Sequence, residues 1–225
     1  MRETRGSGDR KLEAALADLA AALNATAVPW MVIGGIAVIA RGVRRMTTDI
    51  DAAVRGDRLD VASLLQALAK KRIVPRIRDA ERFASESLVL LLKHQPTDVE
   101  IDVSMAWTEF EHEALAACSV TKFGTANAPM AQAEDLIVFK AIAGRPKDIQ
   151  DATTLLVLYS AIDRSRVRRR VSQLAALAED LAPVNVLEAA IAAAGTVPQL
   201  QNTKPPRRRS SHKRGLKESK PRKRG

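Results

Sequence analysis

Two aspartates and a pair of glycines before them are the residues with the clearest chemical potential. Gly34 and Gly35 interrupt an apolar stretch, and thirteen residues separate them from Asp49 and Asp51, where a second apolar stretch begins. Successive side chains of a β-strand point to opposite faces, so the two aspartates share one face. Carboxylates about 7 Å apart on such a face can ligate hard divalent cations, and a glycine turn that opens a helix can bind phosphate. The pattern predicts a metal-dependent enzyme that acts on a nucleoside triphosphate.

Further acidic positions occur on a later stretch in which polar and apolar residues alternate. Asp98, Glu100 and Asp102 are predicted to share one face of a strand, and the residues between them the other face. If this strand lies beside Asp49 and Asp51, one of the three completes a site with three carboxylates. Clustered negative charges repel one another unless a cation is present. Mg²⁺ suits such a site because it is shared readily with substrate phosphates, and two ions can stabilise both oxygens of a phosphoryl displacement.

The elements that must position these residues follow from hydrophobic periodicity. The glycine pair ends one strand and opens a helix, the two aspartates begin the next strand, and the later acidic stretch is the second arm of a hairpin. The predicted strands are 30–33, 49–54, 72–77, 88–93 and 99–105, with one or two more within 119–130. The predicted helices are 11–23, 36–41, 59–70, 109–117, 134–142, 148–160, 164–181 and 184–194.

These elements predict an α+β protein with three parts. Residues 1–130 would form a mixed β-sheet core with flanking helices, and residues 131–197 a C-terminal helical bundle. Residues 198–225 consist largely of Pro, Lys, Arg and Ser and carry few apolar side chains. Such a composition cannot build a packed core, so this segment is predicted to be a disordered basic tail.

The charge of the chain is concentrated at one end. Of the net charge of +10, the whole excess lies in residues 201–225, which hold eleven Lys or Arg and one acidic residue, Glu218. The remaining 200 residues contain 25 basic and 25 acidic side chains. An electrostatic argument for nucleic-acid binding therefore applies first to the tail.

Composition also predicts the cellular compartment. The first ten residues are polar and include no apolar signal region, and no run approaches 18 apolar residues, so no membrane segment is expected. The single cysteine, Cys118, cannot form an internal disulfide and fits a reducing environment. We therefore expect a cytoplasmic protein without a membrane partner.

The motifs occur in an order that is found in a known superfamily. Gly34-Gly35, then Arg45-Met46-Thr47-Thr48-Asp49-Ile50-Asp51, then a later strand with Ile101-Asp102-Val103 resemble the DNA polymerase β-type nucleotidyltransferases. These motifs are most similar to those of AbiEii-like toxins and of small bacterial nucleotidyltransferases, including enzymes that modify aminoglycosides. A stretch from Glu134 through Lys140 to Asp151 is similar to the helical segment after the catalytic sheet of these proteins, so the resemblance covers residues 30–160.

The resemblance implies a role for each matching position. Asp49 and Asp51 would ligate two Mg²⁺ ions, and Asp102 would be the third catalytic carboxylate and metal ligand. Asp102 is preferred because it lies between two apolar residues, as the superfamily pattern requires, whereas Asp98 lies at a turn and Glu100 remains the reserve candidate.

The same resemblance implies how the nucleotide is held. Gly34 and Gly35 would bind the NTP through their backbone, and Lys140 would approach the phosphates or the acceptor. The superfamily usually has Ser after the first glycine. Here Gly35 supplies no hydroxyl, and Thr47 or Thr48 is a candidate replacement.

Two basic segments suggest a polynucleotide partner. The tail from Lys204 to Arg224 and the arginine cluster from Arg164 to Arg170 would contact RNA. The expected activity is transfer of an NMP from an NTP to an acceptor hydroxyl, as in toxins that act on RNA. The alternatives are an antibiotic-type adenylyltransferase and an inactive nucleotide- or RNA-binding member of a toxin–antitoxin pair, in which case the partner would be an antitoxin.

Overall fold

The computed structural model of the chain describes residues 6–196, and the tail predicted for residues 198–225 lies outside them. The strands are β1 (Trp30–Ile33), β2 (Asp49–Arg55), β3 (Ile73–Pro75), β4 (Val89–His94), β5 (Val99–Ala106), β6 (Ser119–Phe123) and β7 (Ala126–Met130). The helices are α1 (Ser7–Asn24), α2 (Gly34–Ala40), α3 (Val61–Ala69), α4 (Ala80–Ser87), α5 (Glu109–Ala117), α6 (Ala133–Ala143), α7 (Pro146–Leu158), α8 (Arg164–Leu177) and α9 (Ala182–Thr196).

All seven strands form one mixed sheet in the order β3-β4-β5-β2-β1-β7-β6. The hairpin β4–β5 is antiparallel, as predicted, and the short strand β3, which ends at Pro75, lies at one edge, where a proline is tolerated. The central pair β2 and β5 is parallel although about 50 residues separate the two strands in the sequence. This pairing brings the two acidic stretches together, and the predicted α+β fold class is confirmed.

The two faces of the central strands have different environments. Ile50, Ile101 and Leu92 lie in one row across β2, β5 and β4, and all three are fully buried. Helix α1 packs on this face, where His94 of β4 contacts Asp18 of the helix. The opposite face carries the polar residues of β2 and β5. Packing on the apolar face thus holds the strands in fixed register, and the acidic side chains on the opposite face keep fixed positions.

Helices α6 to α9 pack against one another, and α6 also packs against α2, the helix opened by the glycine pair. Helix α6 is therefore covered on several sides, with seven of its eleven residues buried. The boundary between the parts at residue 130 stays a prediction, because α6 contacts both sides of it.

Helix α4 is the element that periodicity did not predict. Its sequence, Ala-Glu-Arg-Phe-Ala-Ser-Glu-Ser, is mostly polar, and only Ala80 and Ala84 are buried. Asp79 and Leu88, which flank it, both adopt left-handed backbone conformations. Two small residues four positions apart give too weak an apolar stripe to detect. Within residues 6–196, no helix has both the length and the apolar character needed to cross a membrane.

Candidate active site

The acidic residues of β2 and β5 lie side by side on one face of the sheet. Asp51 pairs in register with Asp102, and Asp49 pairs with Glu100. Neighbouring strands lie about 4.8 Å apart, and side chains at paired positions of parallel strands point the same way. The structure therefore brings Asp49, Asp51 and Asp102 together. Of the alternatives, Glu100 shares the face, whereas Asp98 lies in the hairpin turn and pairs with Lys93 at 2.8 Å.

The glycine pair packs directly on these aspartates. Gly34 has φ of +62°, and a Cβ added there would overlap the carboxylate of Asp51. A Cβ at Gly35 would overlap the hydroxyl of Thr47, and that hydroxyl donates to Asp49 Oδ1 at 2.7 Å. The absence of side chains at both glycines thus has a steric reason. Their predicted contact with phosphate, and that of Thr47, stay predictions.

The aspartates differ in how readily they ionise. Burial raises the pKa of Asp51, and the charges of Asp49 and Asp102 raise it further, against smaller opposing effects of Lys140 and the Gly35 backbone. Burial also raises the pKa of Asp102, and the nearby Arg76 guanidinium only partly offsets this. In both residues burial is the main reason why the ionised form is disfavoured.

Asp49 behaves in the opposite way. Burial acts to raise its pKa, but the hydrogen bond from Thr47, contacts with its own and the Thr48 backbone, and the charge of Lys147 together hold it below the ordinary value. Asp49 is therefore the carboxylate that is most secure in its ionised form.

Arg76, which the sequence did not single out, neutralises part of this face. Its Nη2 donates to Asp102 Oδ1, and its Nη1 donates to Glu100 Oε2 at 2.7 Å. Arg76 follows β3, two strands away from β5, so its contact depends on the register of three strands. The only sequence signal was its position next to Pro75 near the end of the predicted strand 72–77.

Lys140 lies at the centre of a buried ion-pair network. Its Nζ lies 2.7 Å from Asp148 Oδ1 and 3.1 Å from Asp151 Oδ2, and all three side chains are buried. Arg145 also binds Asp148, at 2.6 Å, and Arg45 binds Asp151, at 2.5 Å. Lys140 is near enough to Asp51 to favour its ionised form, but its ammonium already has two carboxylate partners.

The network changes how two sequence motifs are interpreted. Asp148 lies in the first turn of α7, which starts at Pro146 with Arg145 as its N-cap, and it is a fully buried ion-pair partner. Arg45, in the run before the aspartates, contacts Asp151 on α7. The network therefore fixes the helical part of the chain against the loop that leads into β2.

The carboxylates suit a divalent metal in chemical type but are not arranged as a finished site. Oxygen donors of this kind are those that Mg²⁺ prefers, and the repulsion of Asp51 by Asp49 and Asp102 favours a cation. Within residues 6–196, however, no three Asp, Glu, His or Cys side chains are placed so that they could hold a metal ion as they stand. Asp102 is engaged by Arg76, and Asp49 by Thr47.

The arginine cluster predicted to contact RNA is largely occupied within the chain. Arg170 is buried, binds Asp135 at 2.6 Å and Glu113 at 2.5 Å, and lies over the ring of Phe110. Arg168 forms a two-bond pair with Glu188 on α9, and Arg166 lies 3.4 Å from Glu134 on α6. These contacts give the cluster a structural role in joining α8 to its neighbours.

Comparison with known families decides the classification. Residues 10–189 match the family described as nucleotidyltransferase of unknown function (DUF6036). The chain belongs to this family. The predicted superfamily and the prediction that the protein is a nucleotidyltransferase enzyme are therefore confirmed. The particular likeness to AbiEii-like toxins stays a prediction.

One solved structure supports the fold of this nucleotidyltransferase, and two others show a weaker likeness. The solution structure of the antibiotic-resistance factor ANT(2″)-Ia superposes with a TM-score of 0.54 at 18% identity and covers 76% of this chain and 97% of that one. A nucleotidyltransferase-like antigenic protein of Paracoccidioides brasiliensis has a TM-score of 0.48 at 14% identity, covering 80% and 93%. JHP933 of Helicobacter pylori has a TM-score of 0.45 at 14% identity, covering 84% and 88%. No curated protein matches the sequence.

Proposed function

We propose that this nucleotidyltransferase transfers an NMP from an NTP to an acceptor hydroxyl in a reaction that depends on Mg²⁺. The observation that carries the proposal is the register pairing of Asp51 with Asp102, which places three aspartates on one face beside the glycine pair. Asp49, Asp51 and Asp102 would be the metal ligands and the catalytic carboxylates. Two bound Mg²⁺ ions would supply electrostatic stabilisation of the charge that develops on the phosphate oxygens.

The chain's own residues would act in the transfer as follows. The acceptor oxygen forms a bond to the α-phosphorus, the bond from that phosphorus to the bridging oxygen breaks, and pyrophosphate leaves. The acceptor proton passes to a carboxylate, and Asp102 would accept it. Gly34 and Gly35 allow the triphosphate to approach the backbone beside Asp51, and Thr47 keeps Asp49 oriented through its hydroxyl.

For the acceptor we propose RNA, as in an RNA-directed toxin that a separate antitoxin would restrain. The support is the concentration of eleven basic residues in 201–225, which would bind a polynucleotide through counterion release. RNA as the acceptor is also consistent with the cytoplasmic location expected from the composition.

A small-molecule acceptor is the second candidate. It is supported by the neutral charge of residues 1–200 and by the intramolecular pairing of Arg166, Arg168 and Arg170. One solved structure with the same fold is an antibiotic-resistance factor. An enzyme of this kind would need neither the arginine cluster nor the tail.

Incubation with each α-labelled NTP, Mg²⁺ and separate pools of RNA, protein and aminoglycosides tests the proposal. Label should enter the RNA pool, with release of pyrophosphate, and should not do so with Asp51→Asn. Label in the aminoglycoside pool would support the second candidate. Binding of NTP or RNA without release of pyrophosphate from any pool would instead identify an inactive binding protein.

A further inference from the structure

A guanidinium group already occupies the third carboxylate of the candidate site. Arg76 binds Asp102 through Nη2 and Glu100 through Nη1, so one planar group bridges two neighbouring carboxylates of β5. The backbone of Arg76 is fixed beside them, because its N–H donates to Leu91 O of β4 at 2.8 Å. Arginine is suited to such a bridge because its donors form a rigid fork.

The Arg76 side chain lacks a hydrogen bond at one of its nitrogens. Within residues 6–196, its Nε is one of two buried side-chain atoms that have no hydrogen-bond partner. A buried donor without a partner is unfavourable compared with a position in which it is hydrogen-bonded. Asp102 is 42% exposed and Glu100 54% exposed, so the two ion pairs face solvent and are weakened by it. The two ion pairs of Arg76 are therefore weak enough for a competing cation to replace them.

We infer that Arg76 is a displaceable counter-ion of the metal site: it holds Asp102 until a divalent cation binds, and it then gives up this carboxylate. The inference rests on the proposed function, because it requires that Asp102 be a metal ligand. It also explains why the described carboxylates do not form a metal site as they stand.

Glu100 gives the displaced side chain a place to remain. Its carboxylate binds a different nitrogen of Arg76 and pairs in register with Asp49, one position away from the pair formed by Asp51 and Asp102. Because each carboxylate binds a different nitrogen of Arg76, loss of the Asp102 contact does not by itself remove the Glu100 contact. Arg76 is accordingly a positioning residue that acts through Asp102.

Titration of the full chain with Mn²⁺, with free Mn²⁺ measured by electron paramagnetic resonance at pH 8, tests the inference. Arg76→Gln removes the competing charge and should tighten Mn²⁺ binding about fivefold, as expected for loss of a partly exposed ion pair. Arg76→Lys keeps a cation and should stay within about twofold of wild type. Arg82→Gln is the matched control, because Arg82 forms an exposed pair with Glu86 on α4 and should leave the affinity unchanged.

The gain from Arg76→Gln should disappear in the Asp102→Asn background, since the competition takes place at Asp102. A second measurement uses the wild-type chain, in case Arg76→Gln does not fold. Modification of Arg76 by phenylglyoxal, followed by mass spectrometry, should increase when Mg²⁺ is added, and modification of Arg82 should not.

The outcomes separate the inference from the proposed function. If the wild type binds Mn²⁺ and Asp51→Asn does not, the metal site is supported. If Arg76→Gln then binds Mn²⁺ as weakly as the wild type or more weakly, Arg76 is not a counter-ion of that site. Unchanged phenylglyoxal reactivity of Arg76 on addition of Mg²⁺ would have the same meaning. If the wild-type chain binds no Mn²⁺, both the inference and the metal-dependent function are wrong.

Discussion

Asp51 and Asp102 occupy paired positions on the parallel strands β2 and β5, with both side chains on the same face of the sheet. Burial and the charges of Asp49 and Asp102 hold the pKa of Asp51 above its ordinary value. The ionised form of Asp51 is therefore less stable in the folded chain than it would be in water. This relationship has consequences for stability and for activity that can be measured separately.

The first consequence is that Asp51→Asn should stabilise the metal-free chain. A carboxylate whose pKa is raised by folding destabilises the native state once the pH exceeds its ordinary value of 3.8, and the penalty is complete above the folded pKa. Thermal unfolding in EDTA should therefore show a higher Tm for Asp51→Asn at pH 8, with the difference shrinking as the pH falls towards 4. A lower Tm at pH 8 would contradict the assigned electrostatics.

The second consequence concerns catalysis. Asn substitutions at Asp49, Asp51 and Asp102 should each lower NMP transfer by at least about 100-fold, because removal of a single preorganised electrostatic group typically costs that much. Asp98→Asn is the matched control, because Asp98 is exposed at the hairpin turn and pairs only with Lys93 among the contacts described. The measurement is release of labelled pyrophosphate at saturating Mg²⁺. Full activity of Asp102→Asn together with loss in Glu100→Gln would move the third carboxylate to Glu100.

Gly34 provides a test that separates backbone strain from site geometry. Gly34→Ala places a Cβ against the Asp51 carboxylate, so Asp51 must move. A displacement of about 1 Å at a reacting centre can cost 100-fold in rate. Gly144→Ala is the matched control, since Gly144 has a similar φ of +66° but no heavy atom closer than 3.8 Å to the added Cβ.

Both substitutions should lower the free energy of unfolding by about 1 kcal/mol or more through left-handed strain. Only Gly34→Ala should lose NMP transfer. Equal activity of the two variants in the same assay would show that Asp51 does not need the space that Gly34 leaves.

Local pattern was enough to predict the parts of the site that lie close together in the sequence. The alternation of Asp49 and Asp51 gave their shared face, and the turn at Asp98 gave the hairpin that carries Asp102. The glycine pair was predicted as a helix start, and α2 begins at Gly34. These features depend on residue spacing within one or two elements, and such spacing can be read directly from the sequence.

The parts that could not be predicted depend on contacts between distant elements. The sequence did not predict that β2 pairs with β5; this pairing was assumed in order to complete the site. Arg76 reaches Asp102 only because β3, β4 and β5 are in one particular register. The burial of Lys140 could not be predicted either, because it depends on α7, which brings Asp148 and Asp151 over the same side of α6.

The tail separates the two candidate acceptors. Deleting residues 201–225 removes eleven basic side chains. If RNA is the acceptor, affinity for single-stranded RNA in 100 mM salt should fall at least tenfold, and the dependence of log Kd on log salt should become much flatter. If a small molecule is the acceptor, its rate of modification should be unchanged. The Tm of the truncated chain serves as the control for folding.

Lys140 distinguishes a structural ion pair from a nucleotide contact. Lys140→Met leaves Asp148 with Arg145 alone and removes one of the two cations at Asp151, while the side chain remains of similar length. Loss of one partner of a buried pair is strongly destabilising, so urea unfolding at pH 7 should show a loss of about 2–4 kcal/mol. Arg168→Gln is the control, because its pair with Glu188 is about half exposed and should cost less than about 1 kcal/mol.

The pH dependence of Lys140→Met sharpens this test. Burial acts to raise the pKa of Asp148, but Arg145 and Lys140 together hold it below the ordinary value of 3.8. Its contribution to stability is therefore present above that value and is lost as the pH falls through the lower folded pKa. Without Lys140 the pKa of Asp148 should rise, so acid unfolding should begin at a higher pH than in wild type. Wild-type stability and acid unfolding, combined with a weaker Kd for NTP, would instead show that Lys140 acts on the nucleotide and not on the fold.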